Sequence, residues 1–214
     1  MAIGAAGWIG LAAAGAQPFR RRLRGGLAWW ALSTLMLDWH LGMIESDDGE
    51  PVLLGPADAL TLLRVWLVPV AGDTPSAGVV ALAGVTDVLD GRVARATRTT
   101  RLGRDLEGLA DTCFAAAALT GSVRRGNISR VAVGAELGRL GLGFAYALFV
   151  YFGRAQAPDA RLTRAARLTT PVRVSGIVAG GLGMRRLADV LIMGGCALSV
   201  AVALRALREP VRPT

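Results

Sequence analysis

From residue 59 to residue 207 the chain alternates apolar runs with short breaks that are rich in arginine or contain glycine and proline. This pattern predicts six membrane-spanning helices, at 59–71, 76–90, 106–120, 131–152, 171–184 and 187–207. Several runs are shorter than the roughly 20 residues a span requires, so the helices are expected to continue into their polar flanks. Ahead of them, residues 1–17 are apolar and close on Arg20-Arg21-Arg22-Leu23-Arg24. The charge follows the apolar run instead of preceding it, which fits a secretory signal poorly. Residues 26–45 carry Trp29, Trp30 and Trp39 but also Asp38, His40 and Glu45, and the clean apolar run stops at Leu37. That run is too short to span, so the segment is expected to be an interfacial helix with its tryptophans at head-group level. A polar linker with Pro51, Gly55 and Pro56 follows. The expected fold is an all-α integral membrane bundle of six transmembrane helices preceded by an interfacial N-terminal helix. Residues 1–50 form the juxtamembrane segment and residues 51–214 the transmembrane domain.

Composition supports a membrane protein. Hydrophobic residues make up 53% of the 214, a high share for a soluble domain of this size. All 24 basic residues are arginine, and the formal net charge is +8. In a soluble protein that excess would suggest nucleic acid. Here the arginines lie between apolar segments, so anionic head groups and loop orientation account for them better, and no nucleic-acid partner is expected. If the segment before Arg92 ends inside, the arginine-rich stretches 20–24, 92–104 and 154–167 and the C-terminal tail all fall on the cytoplasmic side. The bias places the chain in the cell membrane as a multi-pass protein whose acidic cluster faces the cytoplasm. It also argues against residues 26–45 as a full span. Cys113 and Cys196 sit in apolar runs without ligand spacing and read as small buried hydrophobes.

Against this background, four carboxylates are conspicuous: Asp87, Asp90, Glu107 and Asp111. Asp87 and Asp90 are three residues apart and Glu107 and Asp111 four apart, so each pair shares one helix face. Two such helices side by side would aim all four at one point. Charge in a membrane interior needs a metal, a cationic partner or a water-filled cavity. Hard divalent cations prefer oxygen ligands, and Mg²⁺ usually joins a few carboxylates to substrate phosphates. Glu136 and Arg139, three apart in an apolar run, are expected to pair with each other.

The stretch Asp87-x-x-Asp90-Gly91-x-x-Ala94-Arg95, followed by Gly103-x-x-x-Glu107-x-x-x-Asp111, resembles the signature of the CDP-alcohol phosphotransferase family. Upstream, Asp58-Ala-Leu-Thr61-Leu-Leu-Arg64 resembles the family's Asn-x-Leu-Thr-x-x-Arg run, and the likeness extends from about Pro56 to the C-terminus. Two departures stand out. Glu107 replaces an aspartate, and the gap between Arg95 and Gly103 is one residue short.

The resemblance implies transfer of a phosphatidyl group from a CDP-linked lipid, with CDP-diacylglycerol as the expected donor, to a small alcohol, with release of CMP, in phospholipid biosynthesis. It implies a divalent metal, Mg²⁺ or Mn²⁺, on Asp87, Asp90, Glu107 and Asp111, with Asp111 also the general base for the acceptor hydroxyl. Nucleotide contacts are implied for Gly91, Arg95 and Thr100, and for Asp58 and Thr61 in the upstream run. Arg139 and Arg173 are candidates for a phosphate on the acceptor, and a homodimer is implied. The alternative is a catalytically impaired member of the fold that binds lipid or nucleotide, or serves as a membrane partner. The longer side chain of Glu107 and the shortened loop motivate it.

Overall fold

The computed structural model describes residues 2–40, 54–97, 101–154 and 160–208, and among them all regular structure is helical. The helices are α1 (Ala2–Ala13), α2 (Gln17–Arg21), α3 (Leu23–His40), α4 (Pro56–Asp73), α5 (Ala77–Ala96), α6 (Arg101–Arg124), α7 (Arg130–Leu148), α8 (Ala160–Gly181) and α9 (Arg185–Arg208). A π-type turn, Phe149–Gly153, extends α7. Each apolar run from residue 59 onward lies mainly on one helix from α4 to α9, with 182–184 falling in the turn after α8, and most of those helices lengthen into polar flanks. Among the described residues, two stretches, Arg130–Gly153 and Arg185–Arg205, are long and apolar enough by themselves to cross a membrane.

Helix starts follow from local chemistry. Pro56 opens α4, where a missing N–H costs nothing, and the preceding Gly55 N–H donates to Asp58 Oδ2 at 2.7 Å. Ser76 caps α5 by accepting from the Val79 N–H, and Ser129 caps α7 by accepting from the Ala132 N–H at 3.1 Å.

The chain folds as two compact units, Met1–Gly121 and Ser122–Thr214. In the first, α3, α5 and α6 all lie against α4. Helix α6 approaches α4 through small residues: a Cβ on Gly121 would sit 2.7 Å from the Ala71 carbonyl oxygen and 2.8 Å from that of Gly72. Only glycine allows the two backbones so close. Helix α3 is tied to α4 by an unusual pairing. Pro69 lies inside α4 and has no N–H to donate to the carbonyl four residues back, that of Val65. The Trp29 indole N–H fills the gap, donating to Val65 O at 2.8 Å. Trp66 donates in turn to Gly4 O at 2.9 Å, and Trp8, fully buried, packs edge-on against Phe19 and Trp66. The expected role of tryptophans 29 and 30 as head-group anchors is therefore incomplete. Trp29 completes a broken backbone ladder, and Trp30 is buried. The side chain of Trp39 lies outside the described residues.

In the second unit α8 packs closely along α9, where a Cβ on Gly176 would meet Ile192 at 2.7 Å. The Ser129 N–H donates to Asp189 Oδ1 at 2.8 Å, fastening the start of α7 to α9.

Candidate metal and nucleotide site

Helices α5 and α6 supply the acidic cluster and α4 its arginine, and the fold explains why they meet. Helix α5 returns antiparallel to α4, so its C-terminal half, with Asp87 and Asp90, lies beside the N-terminal half of α4. Helix α6 runs in the direction of α4, which puts its first half at the same level and its second half at Gly72. One carboxylate oxygen from each of Asp87, Asp90 and Glu107 lies within 4.8 Å of the other two. The added methylene of Glu107 thus does not carry its carboxylate away from the aspartates.

The centre of the cluster is occupied by a residue to which the sequence had assigned no role. Arg64, one helical turn after Thr61 on α4, is 2% exposed. Its Nη2 lies 2.6 Å from Asp90 Oδ2, its Nε 2.8 Å from Asp111 Oδ1 and its Nη1 3.8 Å from Asp87 Oδ1. These are ion pairs by distance, without hydrogen-bond alignment. The Thr61 hydroxyl donates to Asp90 Oδ2 at 3.0 Å. The signal that could have found Arg64 was its place: a lone arginine in an apolar helix needs anionic partners, and four carboxylates were the candidates.

The donor set has the chemistry of a divalent-cation site. Asp90 Oδ1 is buried and accepts no hydrogen bond, so one ligand oxygen is already stripped of water and unspent. All donors in the trio are oxygens, the choice of Mg²⁺ and Mn²⁺. The residues fit such an ion.

The other expected contacts fall differently. Asp58 is buried and spends Oδ2 on the Gly55 N–H, which makes it a helix cap as well as a neighbour of Thr61. Gly91 has room for a side chain: an added Cβ would meet only the flexible guanidinium of Arg95, 3.4 Å from Nη1. Packing within the chain therefore gives no reason for glycine there. Arg95 is exposed one turn beyond Gly91. Thr100 lies outside the described residues.

A family model described as CDP-alcohol phosphatidyltransferase matches residues 55–204. The chain belongs to the CDP-alcohol phosphatidyltransferase family. The matched segment begins at the cap of α4 and ends within α9, so it takes in every residue of the acidic cluster. No curated protein matches the chain.

The second unit of this family member holds its own charged cluster. Glu136 is 4% exposed, and Arg139 grips it with two hydrogen bonds, Nε to Oε2 at 2.9 Å and Nη2 to Oε1 at 2.6 Å. Arg173, equally buried, places Nη1 3.5 Å from Glu136 Oε1 and donates from Nη2 to the Thr170 hydroxyl at 2.9 Å. The Cys196 thiol donates to Glu136 Oε2 at 3.0 Å. The expected Glu136–Arg139 pair forms, and Arg139 and Arg173 converge on one carboxylate. Spacing along a single helix revealed only the first partner, because Arg173 and Cys196 come from α8 and α9.

Proposed function

We propose that this protein is a multi-pass membrane enzyme that moves a phosphatidyl group from CDP-diacylglycerol to a small alcohol and releases CMP. The observation that carries the proposal is the convergence of Asp87, Asp90 and Glu107 within 4.8 Å, beside an arginine held by three carboxylates, in a chain of this family. That proximity weighs against a misplaced Glu107, one of the two motives for the non-catalytic alternative.

Asp87, Asp90, Glu107 and Asp111 would hold Mg²⁺ or Mn²⁺. The ion, when bound, supplies positive charge to the diphosphate of the donor and to the CMP that leaves. Arg64 holds Asp90 and Asp111 in place, with Thr61 steadying the same Asp90 oxygen. Gly91 leaves the α5 backbone open to the nucleotide, Arg95 would take a phosphate with its planar fork, and Asp58 and Thr100 flank the nucleotide. Asp111 accepts the proton of the acceptor hydroxyl as that oxygen bonds to the phosphatidyl phosphorus and the bond to CMP breaks. Arg139 and Arg173, which converge on Glu136, are the candidate contacts for a phosphate-bearing acceptor.

Membrane embedding draws support from α7 and α9. Both present large apolar side chains outward, Leu142, Phe144 and Phe152 from α7 and its extension among them. A core helix of a soluble protein would bury these faces. The proposal extends to six spans, α4 to α9, within a domain of residues 51–214, to an active site on the cytoplasmic side and to a homodimer.

The test is a CMP-release assay on detergent-purified protein with CDP-diacylglycerol, Mg²⁺ or Mn²⁺, and acceptors that include glycerol phosphate, inositol phosphate, free polyols and amino alcohols. CMP release that requires one of these acceptors, with the matching phospholipid identified by mass, is the expected result. Absence of release with every acceptor and both metals overturns the proposal.

A further inference from the structure

The path of the N-terminal helices carries a consequence for topology. At the start of α3, Arg22 Nε donates to Asp73 Oδ1 at 3.0 Å, and Asp73 is the last residue of α4. Seven residues on, Trp29 reaches Val65, in the middle of α4. Further still, Ser33, Met36 and Leu37 line an apolar cavity of about 180 Å³ together with Leu62 and Val65 of α4. Helix α3 thus descends α4 in the antiparallel sense, from its C-terminal end toward the end that carries Thr61 and Arg64. Its 18 residues cover about 27 Å at the α-helical rise, close to the hydrocarbon thickness of a bilayer. Helix α1 runs back along α3, with Gly4 against Trp30 and Gly26 against Trp8. The turn between them holds Arg20, Arg21, Arg22 and Arg24, all exposed, at the Asp73 end.

We infer that α1 to α3 form a helical hairpin inserted beside α4, with its arginine turn at the head-group level of the leaflet opposite the carboxylate site. This rests on the membrane reading above; it replaces the interfacial placement of α3 and takes Arg20, Arg21, Arg22 and Arg24 off the side of the carboxylate site, where the sequence pattern had put them. A helix lying in the plane of the interface would touch a spanning neighbour at one level. Here the contacts step along α4 from Asp73 to Leu62. Arginines at that end can meet anionic phosphates of the opposite leaflet while the flanking apolar residues, Ile3, Ile9 and Leu11, stay in lipid.

The experiment is site-directed cysteine labelling in sealed membrane vesicles, with Cys113→Ala and Cys196→Ala as background. Gln17→Cys reports the arginine turn, and Thr97→Cys reports the site end of α5. Both positions are exposed and neither is assigned to the catalytic machinery. A membrane-impermeant maleimide is expected to label one of the two from outside and the other only after permeabilisation. Should the double-alanine background fail to fold, the same pair in the native chain is scored as label added over the parent. Labelling of both positions from the same side overturns the inference while leaving a chain that resists alkaline carbonate extraction as a membrane protein. Release of the chain by carbonate overturns the inference and the membrane reading together.

Discussion

Arg64 Nη2 and Asp90 Oδ2 lie 2.6 Å apart between α4 and α5, with both side chains almost wholly buried. Such a pair is costly to break from one side, because the partner left behind is a buried charge without compensation. Arg64→Met is therefore expected to lower stability by about 3–5 kcal/mol, read as a fall in the thermal midpoint of the protein in detergent. Excess Mn²⁺ should recover more of the loss in this variant than it adds to the parent, since the ion and the guanidinium compensate the same carboxylates. An unchanged midpoint would show that Arg64 is not the structural counter-ion.

Glu107 belongs to the trio with Asp87 and Asp90, so its carboxylate charge should be felt by the metal. Glu107→Gln keeps the shape and removes the charge. It is expected to raise the Mn²⁺ concentration for half-maximal activity roughly tenfold or more, equivalent to about 1.4 kcal/mol. An unshifted metal requirement would exclude Glu107 as a ligand.

Asp111 is held by Arg64 from one side and stands one turn beyond Glu107 on α6. In the proposed role it moves a proton and contributes little to holding the nucleotide. Asp111→Asn should cut turnover by about 10²–10⁴-fold, while CDP binding measured calorimetrically stays within a few-fold of the parent. A loss of CDP affinity as large as that of Asp87→Asn would contradict the assignment as base.

Close helix packing predicts a contrast between two glycines. At Gly121 a methyl group would collide with the backbone of Ala71 and Gly72, whereas at Gly138 nothing among the described residues lies within 4 Å of the added carbon. Gly121→Ala should cost about 1–3 kcal/mol, and Gly138→Ala should stay within about 1 kcal/mol of the parent or gain from better helix propensity. Thermal unfolding of the two variants side by side reads the difference.

The Trp29 indole supplies the hydrogen bond that Pro69 denies to Val65. Trp29→Phe keeps most of the packing but leaves that carbonyl unpaired, and should destabilise by about 1–3 kcal/mol. Trp29→Phe combined with Pro69→Ala should lose less than Trp29→Phe alone, because the alanine N–H restores the ladder. A double variant no better than the single one would refute the compensation.

These contacts also show what the linear chain could reveal. Apolar runs located helices α4 to α9 because each run must be covered or faced to lipid, and helical spacing placed Asp87 with Asp90 and Glu107 with Asp111. Arg64 escaped assignment because its partners lie on two other helices, where spacing along one chain segment is silent. The same holds for Arg173 and Cys196 around Glu136. The course of α3 was hidden for a different reason. Its polar residues Arg24, Asp38 and His40 broke the apolar run, and the force that aligns it with α4 is an indole bonded to a carbonyl orphaned by a proline 40 residues later.

The most direct measurement is the anomalous scattering of Mn²⁺ in crystals grown with CDP. The account predicts a peak bounded by carboxylate oxygens of Asp87, Asp90 and Glu107, with the CDP phosphates on its open side. A peak elsewhere, or CDP bound with no metal among these three residues, would contradict it.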